Sequence, residues 1–164
     1  IDARYSTIDE MVVDKCLDAV FVAPPAHLNA KVARRCLELG INTLLEKPPG
    51  MCVSETVSLM DTAERTGAKA MVAWNHRFHT LVVKARHLVE ERGPIVQLVG
   101  EFYKSMSNLE QSGRFPAFLM DNMFLESPIY SVDLIRVLAG AQRLLRSTVS
   151  YVEYFPSIRT FTRL

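Results

Sequence analysis

Three short apolar segments recur along the first half of the chain, and segments with helical periodicity separate them. Residues Leu17–Ala23, Ile41–Leu45 and Ala68–Trp74 show no clean alternation of apolar and polar side chains. This pattern is typical of strands that are covered on both faces. It therefore predicts three buried strands in one parallel sheet.

The intervening segments predict helices that pack on this sheet. In His27–Leu39 apolar residues repeat at i, i+4 and i+8, and Gly40 follows where a helix commonly ends. In Ser54–Thr66 we expect Ser54 to be the N-cap, with Gly67 after the end of the helix. A further short helix is expected at Ser6–Val13. The inward faces are predicted to carry Leu28, Val32 and Cys36 in the first helix, with Ala33 and Leu37 beside them, and Val57 and Met60 in the second.

The second half of the chain has a different pattern. The partly polar faces of its predicted strands suit an antiparallel sheet that is open on one side. The predicted fold class is therefore α/β, a parallel sheet in residues 1–78 followed by part of an α+β domain in residues 79–164. The predicted elements are the helices Thr80–Glu91 and Ile129–Ala139, the strands Ile95–Tyr103 and Leu144–Tyr154, and a polar loop at Ser105–Gly113.

Composition excludes several classes of protein. The net charge is +1, from 19 basic and 18 acidic residues, so no strong field favours nucleic acid or an anionic membrane surface. The three cysteines form no Cys-x-x-Cys pair, which opposes a disulfide framework or a zinc site and fits a reducing cytoplasm. No apolar run approaches the roughly 20 residues of a membrane span. The chain opens with neither an initiator methionine nor a signal peptide, so we expect a fragment or a processed piece.

Each predicted parallel strand ends in residues that either carry chemistry or shape a turn. These are Ala23-Pro24-Pro25 with His27 just beyond, Glu46-Lys47-Pro48, and Trp74-Asn75-His76-Arg77. Because open α/β sheets bind ligands at the carboxyl ends of their strands, we expect the three clusters to lie along one edge. A structural alternative stays open for each: the prolines only shape a turn, His27 only caps a helix, and Glu46 and Lys47 only pair with each other. No spacing of histidines predicts a metal site.

Three stretches of the sequence resemble the glucose–fructose oxidoreductase / inositol dehydrogenase / rhizopine-catabolism (Gfo/Idh/MocA) family. They are DAVFVAPPAHLNAKVARRCLELGINTLLEKP, GAKAMVAWNHRF and SVDLIRVLAG, and the resemblance spans Leu17–Gly140. It implies a partial Rossmann domain at residues 1–78 and a partial C-terminal substrate and oligomerisation domain at residues 79–164. It also implies hydride transfer between NAD or NADP and a sugar- or cyclitol-like alcohol, in a cytoplasmic homo-oligomer assembled through the C-terminal sheet.

The resemblance implies roles for individual residues. Lys47 matches the lysine near the nicotinamide and the reacting hydroxyl, where a cation stabilises developing alkoxide charge. Glu46 matches the acid that helps hold the nicotinamide end. The other cofactor-binding residues that it implies are Pro24 and Pro25 in the turn beside the ribose, with Ala23 and His27 next to them, and Asn75 and Arg77 in the Asn-x-Arg-Phe stretch that borders the cleft.

The first departure from the family pattern concerns the phosphate-binding turn. The sequence contains no Gly-x-Gly-x-x-Gly, the turn that cradles a dinucleotide pyrophosphate at a helix N-terminus. We expect that turn and its strand upstream of Ile1, and further strands of the second sheet after Leu164. As written, this piece is expected to bind a dinucleotide poorly and to be inactive alone.

The second departure concerns the catalytic set. Active members usually carry an aspartate, a histidine four residues later and an aspartate three further on. Alignment on Asp133 puts Glu126 at the position of the first aspartate and Tyr130 at the position of the histidine. Histidine, with a reference pKa of about 6.5, suits proton transfer, whereas tyrosine at about 10 needs a neighbouring cation such as Lys47. Two alternatives stay open: Tyr130 transfers the proton, or it only packs.

The sequence therefore predicts an NAD(P)-dependent oxidoreductase acting on a sugar-like alcohol. The alternative is a non-catalytic family member that senses a dinucleotide or binds a partner. The replacements at Tyr130 and Glu126 favour the alternative, and the retained Glu46-Lys47-Pro48 opposes it.

Overall fold

The computed structural model describes residues 3–103, 113 and 116–140, without the side chains of residues 117 and 121. The chain divides into two compact units, residues 1–73 and 74–164. This division falls a few residues before the predicted boundary at residue 78. The assignment of the two parts as cofactor and substrate domains stays a prediction.

The first unit alternates helices and strands. Its three strands form one parallel sheet in the order β1-β2-β3, so each helix that joins two strands is a crossover between neighbours. This is the predicted parallel α/β arrangement. Its elements are α1 (Ile8–Asp14), β1 (Ala19–Val22), α2 (Ala26–Glu38), β2 (Asn42–Leu45), α3 (Val53–Thr66) and β3 (Ala70–Val72).

The core of the first unit lies between the sheet and the two crossover helices. Both helices end as glycine predicts, with Gly40 and Gly67 at φ of 75° and 73°, a left-handed conformation that side chains with a Cβ rarely adopt. The buried core residues are Val22, Ala33, Cys36, Leu37, Leu45, Leu59 and Ala68.

The opposite face of the sheet is open among the described residues. Phe21, Leu44 and Met71 lie side by side across the three strands, and all three side chains are exposed. The expectation that both faces are covered is therefore wrong for the described part of the chain. A run of apolar residues in a strand shows that both faces are apolar, but it does not supply the layer that covers them.

The inward face of α2 agrees with the prediction in part, and that of α3 differs from it. The fully buried residues of α2 include Asn29 beside Ala33, Cys36 and Leu37, whereas Leu28 and Val32 are only half-buried. In α3 the buried residues are Leu59 and Thr62, and Val57 and Met60 are exposed. The predicted cap is wrong as well, because α3 begins after Cys52, which caps no backbone N–H with its side chain.

The second unit is mainly helical in its described part. The helix predicted at Ile129–Ala139 is confirmed, and Gly140 follows it with φ of 79°. The elements are a 3₁₀ helix (Asn75–Phe78), α4 (Thr80–Glu90), α5 (Ala117–Asp121), α6 (Met123–Glu126) and α7 (Ile129–Ala139).

The predicted antiparallel sheet is not seen in the described residues. The segment 95–103 forms neither a strand nor a helix, so the strand predicted at Ile95–Tyr103 is absent. The second predicted strand, Leu144–Tyr154, and all but Gly113 of the predicted loop at Ser105–Gly113 lie outside the described residues. A strand exists only with a hydrogen-bonded neighbour, and the sequence pattern of one segment cannot supply that neighbour.

Candidate cofactor and substrate site

The three parallel strands end together at one edge of the sheet. Val22 pairs with Leu45, and Leu45 pairs with Val72. Two further hydrogen bonds extend this ladder, from Glu46 N to Val22 O at 2.9 Å and from Ala73 N to Leu45 O at 2.8 Å. The prediction that these carboxyl ends are neighbours in one sheet is confirmed.

The turn after β1 leads directly into α2. Ala23 and Pro25 are exposed and Pro24 is half-buried. Pro25 precedes the first helical residue, and its carbonyl accepts the Leu28 N–H at 2.8 Å. Proline suits this place because its fixed φ is close to the helical value and it has no N–H to satisfy. His27 lies inside the first turn of α2 and is exposed, so it is not the capping residue.

The turn after β2 carries the Glu-Lys-Pro sequence. Glu46 and Lys47 are half-buried, Pro48 is buried, and the Lys47–Pro48 peptide bond is cis. The Glu46 Oε2 accepts the backbone N–H of Lys47 at 3.2 Å. The turn therefore presents a lysine and an acid at the edge where ligands of parallel sheets bind.

Asn29 joins this turn to α2 and was missed in the sequence. Its Nδ2 donates to the carbonyl oxygens of Glu46 at 3.1 Å and Pro48 at 3.0 Å. The side chain is 0% exposed. The available signal was a polar residue on the same helical face as Ala33 and Cys36, since a buried polar side chain is informative where a buried apolar one is not.

In the second unit, Arg77 is held by an acid rather than left free. Its Nε donates to Asp133 Oδ2 at 2.7 Å, and its Nη2 donates to Asp133 Oδ1, a two-pronged ion pair. Asp133 is 5% exposed and the Arg77 side chain 37%. The hydrogen bond with Asp133 raises the pKa of the Arg77 guanidinium above its usual value. The pair fixes the 3₁₀ helix to α7, while Asn75 on the same 3₁₀ helix is exposed.

Tyr130 lies in the first turn of α7 within an aromatic cluster. The His76 imidazole stacks on its ring, with centroids 3.8 Å apart and planes 13° apart. Trp74 meets the same ring edge-on at 6.2 Å. No sequence pattern connects His76 with Tyr130, because the two residues are far apart along the chain.

Glu126 ends α6, and its carboxylate accepts the hydroxyl of Ser127. Both residues are half-buried. Catalytic roles for Tyr130 and Glu126 stay predictions, as do the cofactor roles of the first-unit residues.

The described part of the chain offers neither a metal site nor a membrane-spanning helix. It contains no group of three or more His, Cys, Asp or Glu side chains that could hold a metal ion. None of its helices is long and apolar enough to cross a membrane. All three cysteines are free thiols, and burial raises the pKa of Cys36.

The residues at the carboxyl edge fit one end of a nicotinamide dinucleotide. A half-buried lysine and acid stand on a fixed turn beside a proline turn that opens a helix. This chemistry suits the reactive ring and the neighbouring ribose. The sequence has no glycine-rich turn of the kind that cradles a pyrophosphate, so the residues present account for the reactive end alone.

A family model described as "Oxidoreductase family, NAD-binding Rossmann fold" matches residues 2–74. The match coincides with the first unit and confirms the predicted Rossmann-type sheet. It also confirms the prediction of NAD or NADP as the cofactor of this family, since relatives named for NADP(+) occur among the matches.

Curated relatives cover most of this chain. A D-xylose 1-dehydrogenase (NADP(+)) of Haloferax volcanii is 27% identical over 92% of this chain and 46% of its own length. A scyllo-inositol 2-dehydrogenase (NADP(+)) of Bacillus subtilis is 24% identical over 85% of this chain and 44% of its own length. The chain spans less than half the length of the curated relatives it matches.

Solved structures share the fold. The myo-inositol 2-dehydrogenase of Lactobacillus plantarum superposes with a TM-score of 0.68 at 19% identity, over 82% of this chain and 41% of that one. The scyllo-inositol dehydrogenase of Lactobacillus casei gives 0.66 at 20% identity, over 81% and 39%. At such identities the likeness establishes the fold alone.

Proposed function

Because residues 2–74 match the family model of the Gfo/Idh/MocA oxidoreductases, we propose that the full-length protein is an NAD(P)-dependent dehydrogenase or reductase of a sugar- or cyclitol-like alcohol. The observation that carries the proposal is the Glu46-Lys47-Pro48 turn at the carboxyl edge of the parallel sheet. The curated relatives named above act on a pentose and on an inositol, which supports a polyhydroxylated substrate.

The nicotinamide ring, when bound, supplies the carbon that accepts or donates hydride. Lys47 provides a cation that stabilises negative charge on the substrate oxygen as the hydride leaves the adjacent carbon. Glu46 orients the nicotinamide end, and Ala23, Pro24, Pro25 and His27 border the ribose. These contributions are ones of position and charge, which are the main sources of catalysis when a cofactor carries the reaction itself.

In this proposal Tyr130 is the general base that accepts the proton of the substrate hydroxyl during oxidation. A phenol is a poor proton acceptor near neutral pH unless its surroundings favour the phenolate. The stacked His76 gives Tyr130 a polar aromatic neighbour. Glu126 is the second candidate catalytic residue on the same unit. Asn75 and Arg77 contribute to cofactor binding from the 3₁₀ helix.

Lys47→Ala in the full-length protein tests the role of the lysine. We expect turnover to fall by a factor of about 10² or more while the dinucleotide Kd changes little, because the cation acts mainly on charge that appears in the transition state. Lys69→Ala is the matched control, an exposed lysine just before β3 at the other end of the sheet. The measurement is kcat and KM over a panel of sugars and inositols with NAD and then NADP.

Tyr130→Phe separates proton transfer from packing. If the hydroxyl transfers the proton, turnover falls by about 10² to 10⁴, the usual range for general acid–base catalysis, and the alkaline limb of the pH profile changes. Phenylalanine keeps the ring that stacks on His76, so a packing role predicts an almost silent substitution.

The non-catalytic alternative is tested by the wild-type protein in the same assays. Measurable binding of a dinucleotide without turnover of any polyol would reject the proposed function in favour of a dinucleotide sensor. The relatives reported above carry dehydrogenase names, which does not favour that alternative.

Assembly and location are part of the proposal. Three free thiols suit a reducing cytoplasm. A homo-oligomer formed through the C-terminal part of the full-length protein would give a mass above that of one chain in light scattering, and a monomeric mass at working concentration would reject it.

A further inference from the structure

Asn29 occupies an unusual place at the candidate site. It lies on α2, faces the core and is completely buried. Its two Nδ2 hydrogens reach the carbonyl oxygens of Glu46 and Pro48, at 3.1 and 3.0 Å. These are the carbonyls of the two residues on either side of Lys47. One side chain therefore holds the Glu46–Lys47 peptide group, on the amino side of the lysine, and the carbonyl of Pro48, one residue beyond it.

The chemistry of the contact calls for an asparagine. Carbonyl oxygens only accept, so the partner needs two donors on one small planar group, and an amide nitrogen supplies them. The Asn29 Oδ1 accepts no hydrogen bond within the described part of the chain. A buried acceptor without a partner destabilises the fold. The contribution of this side chain therefore lies in its two donated bonds.

The far side of the same turn has an anchor of its own. Glu55 of α3 accepts the Met51 N–H at 2.7 Å through its Oε2. A side chain at position 50 would not fit beside this contact, because its Cβ would lie 2.7 Å from the Glu55 Cβ, and glycine has none. The backbone of the turn is thus bound to α2 on one side and to α3 on the other. These bonds restrict the backbone motion of the turn that carries Lys47.

A second asparagine offers an internal comparison at the opposite end of the sheet. The Asn42 Nδ2 donates to Asp18 O at 2.9 Å, and its Oδ1 accepts the Lys69 N–H at 3.0 Å. Asn42 therefore also links two segments by side-chain hydrogen bonds, but no candidate catalytic residue lies beside it. It is exposed and lies at the amino ends of the strands.

We propose that Asn29 is a positioning residue, which holds the backbone on both sides of Lys47 so that the ammonium group is oriented toward the reacting oxygen. The proposal rests on the function proposed above for Lys47. It concerns a residue that needs to touch neither cofactor nor substrate. Orientation of a flexible lysine contributes to rate because a small misplacement of a catalytic group lowers turnover strongly.

The test is a double-mutant cycle in the full-length protein. Asn29→Ser and Asn29→Ala both remove the two Nδ2 donors together with the unpaired Oδ1, and Asn29→Ala also leaves no polar group in the buried site, so that at least one of them is expected to fold. Each is made in the wild-type and in the Lys47→Ala background, with Asn42→Ser as the matched control. Turnover is measured at a temperature at which circular dichroism shows every variant folded.

We expect the Asn29 variants to lower kcat by about 10-fold to 100-fold with little change in KM in the wild-type background. In the Lys47→Ala background the same substitutions should change kcat by less than about twofold, because the group that they position is already gone. Asn42→Ser should lower the melting temperature without changing kcat.

A readout that needs no activity is hydrogen exchange at the turn. The amides of Lys47 and Met51 should exchange faster in both Asn29 variants, because these variants lose the two bonds that hold the turn. In Asn42→Ser both bonds remain, so the exchange rates of the two amides should not change. Exchange that stays at the wild-type rate would overturn the proposal even if no variant is active.

The two proposals fail in different ways. If Lys47→Ala keeps wild-type turnover, the function proposed for Lys47 is wrong, and the positioning role falls with it. If Lys47→Ala is nearly inactive but the Asn29 substitutions are silent, or lower kcat equally in both backgrounds, only the positioning role is rejected.

Discussion

The two units of this chain place their chemistry-bearing residues in different ways. In the first unit, Lys47 stands on a turn at the edge of the sheet, outside the apolar core, and Asn29 and Glu55 hold the backbone of that turn. In the described part of the second unit, polar side chains hold the elements together themselves. Arg77 binds Asp133, and His76 stacks on Tyr130. Candidate site residues are thus separate from the core in the first unit and part of the packing in the second.

This difference bears on how mutations should be interpreted. Lys47 is half-buried and lies outside the apolar core, so we expect a change there to affect turnover more than stability. A change at Arg77 or Tyr130 disturbs both a contact and a candidate function. Measurements of stability are therefore needed beside every measurement of rate in the second unit.

The largest effect on stability is expected in the core of the first unit. Leu45 is 1% exposed and its neighbour Leu44 is 38% exposed, although both are leucines in β2. Leu45→Ala should lower the free energy of unfolding by about 2 to 5 kcal/mol, because it removes apolar contact and leaves a cavity. Leu44→Ala should cost about 1 kcal/mol or less. Urea titration measures both, and equal losses would mean that the open face is covered.

The ion pair of the second unit should give the next largest effect. Arg77→Met leaves the buried Asp133 carboxylate without its cation, and we expect a loss of about 2 to 3 kcal/mol. This lies at the low end for broken buried pairs because Arg77 is partly exposed. The double variant Arg77→Met/Asp133→Leu should recover part of the loss, since it no longer buries an unpaired charge.

The same double variant distinguishes the two roles of Arg77. If stability returns but the dinucleotide Kd stays raised, Arg77 contacts the cofactor as the family resemblance implies. If both return together, its role is structural. A double variant that is no more stable than Arg77→Met would contradict the account of the ion pair.

The smallest effect belongs to an exposed ion pair of the first unit. The hydrogen bond from Arg35 lowers the pKa of Asp9 below its usual value, and the Arg35 Nε lies 3.3 Å from Asp9 Oδ2. Because the folded pKa is the lower one, the stabilisation is present above the unfolded value near 3.8 and is lost as the pH falls through the folded value.

Asp9→Asn should therefore be less stable than the wild type at pH 7, and the difference should vanish as the pH falls below the folded pKa of Asp9. Salt should shrink the difference, because both side chains are exposed. Denaturant titrations from pH 2 to 7 at two salt concentrations measure this. A difference that grows toward low pH would have the wrong sign and would reject the pairing.

Local patterns were sufficient for the order of elements. The alternation of apolar runs with helical periodicity predicted β1, α2, β2, α3 and β3 and the parallel sheet, and glycine placed the ends of both crossover helices. The resemblance to a family was carried by residues at strand ends, and the match over residues 2–74 confirmed it. These features depend on neighbours along the chain, where sequence patterns are most informative.

Patterns failed where a partner distant in sequence decides the outcome. The inward face of α2 was predicted in part, because Ala33, Cys36 and Leu37 are buried as expected but the buried polar residue Asn29 was not counted. The face predicted for α3 was wrong, since Leu59 and Thr62 are buried where Val57 and Met60 were expected. Residues 95–103 have the composition of a strand, but in the described chain they have no hydrogen-bonded neighbouring strand. The cap of α3 was placed at Ser54, although the helix begins before it.

The sequence by itself determined the succession of strands and helices, the chemical character of each strand end and the resemblance of the first unit to a family. Only the tertiary structure decided which groups meet: Asn29 with the carbonyls around Lys47, Arg77 with Asp133, and His76 with Tyr130. The physical reason is one of range. Periodicity and turn chemistry act over a few residues, whereas a hydrogen bond or a ring stack depends on packing that brings distant segments within a few ångströms.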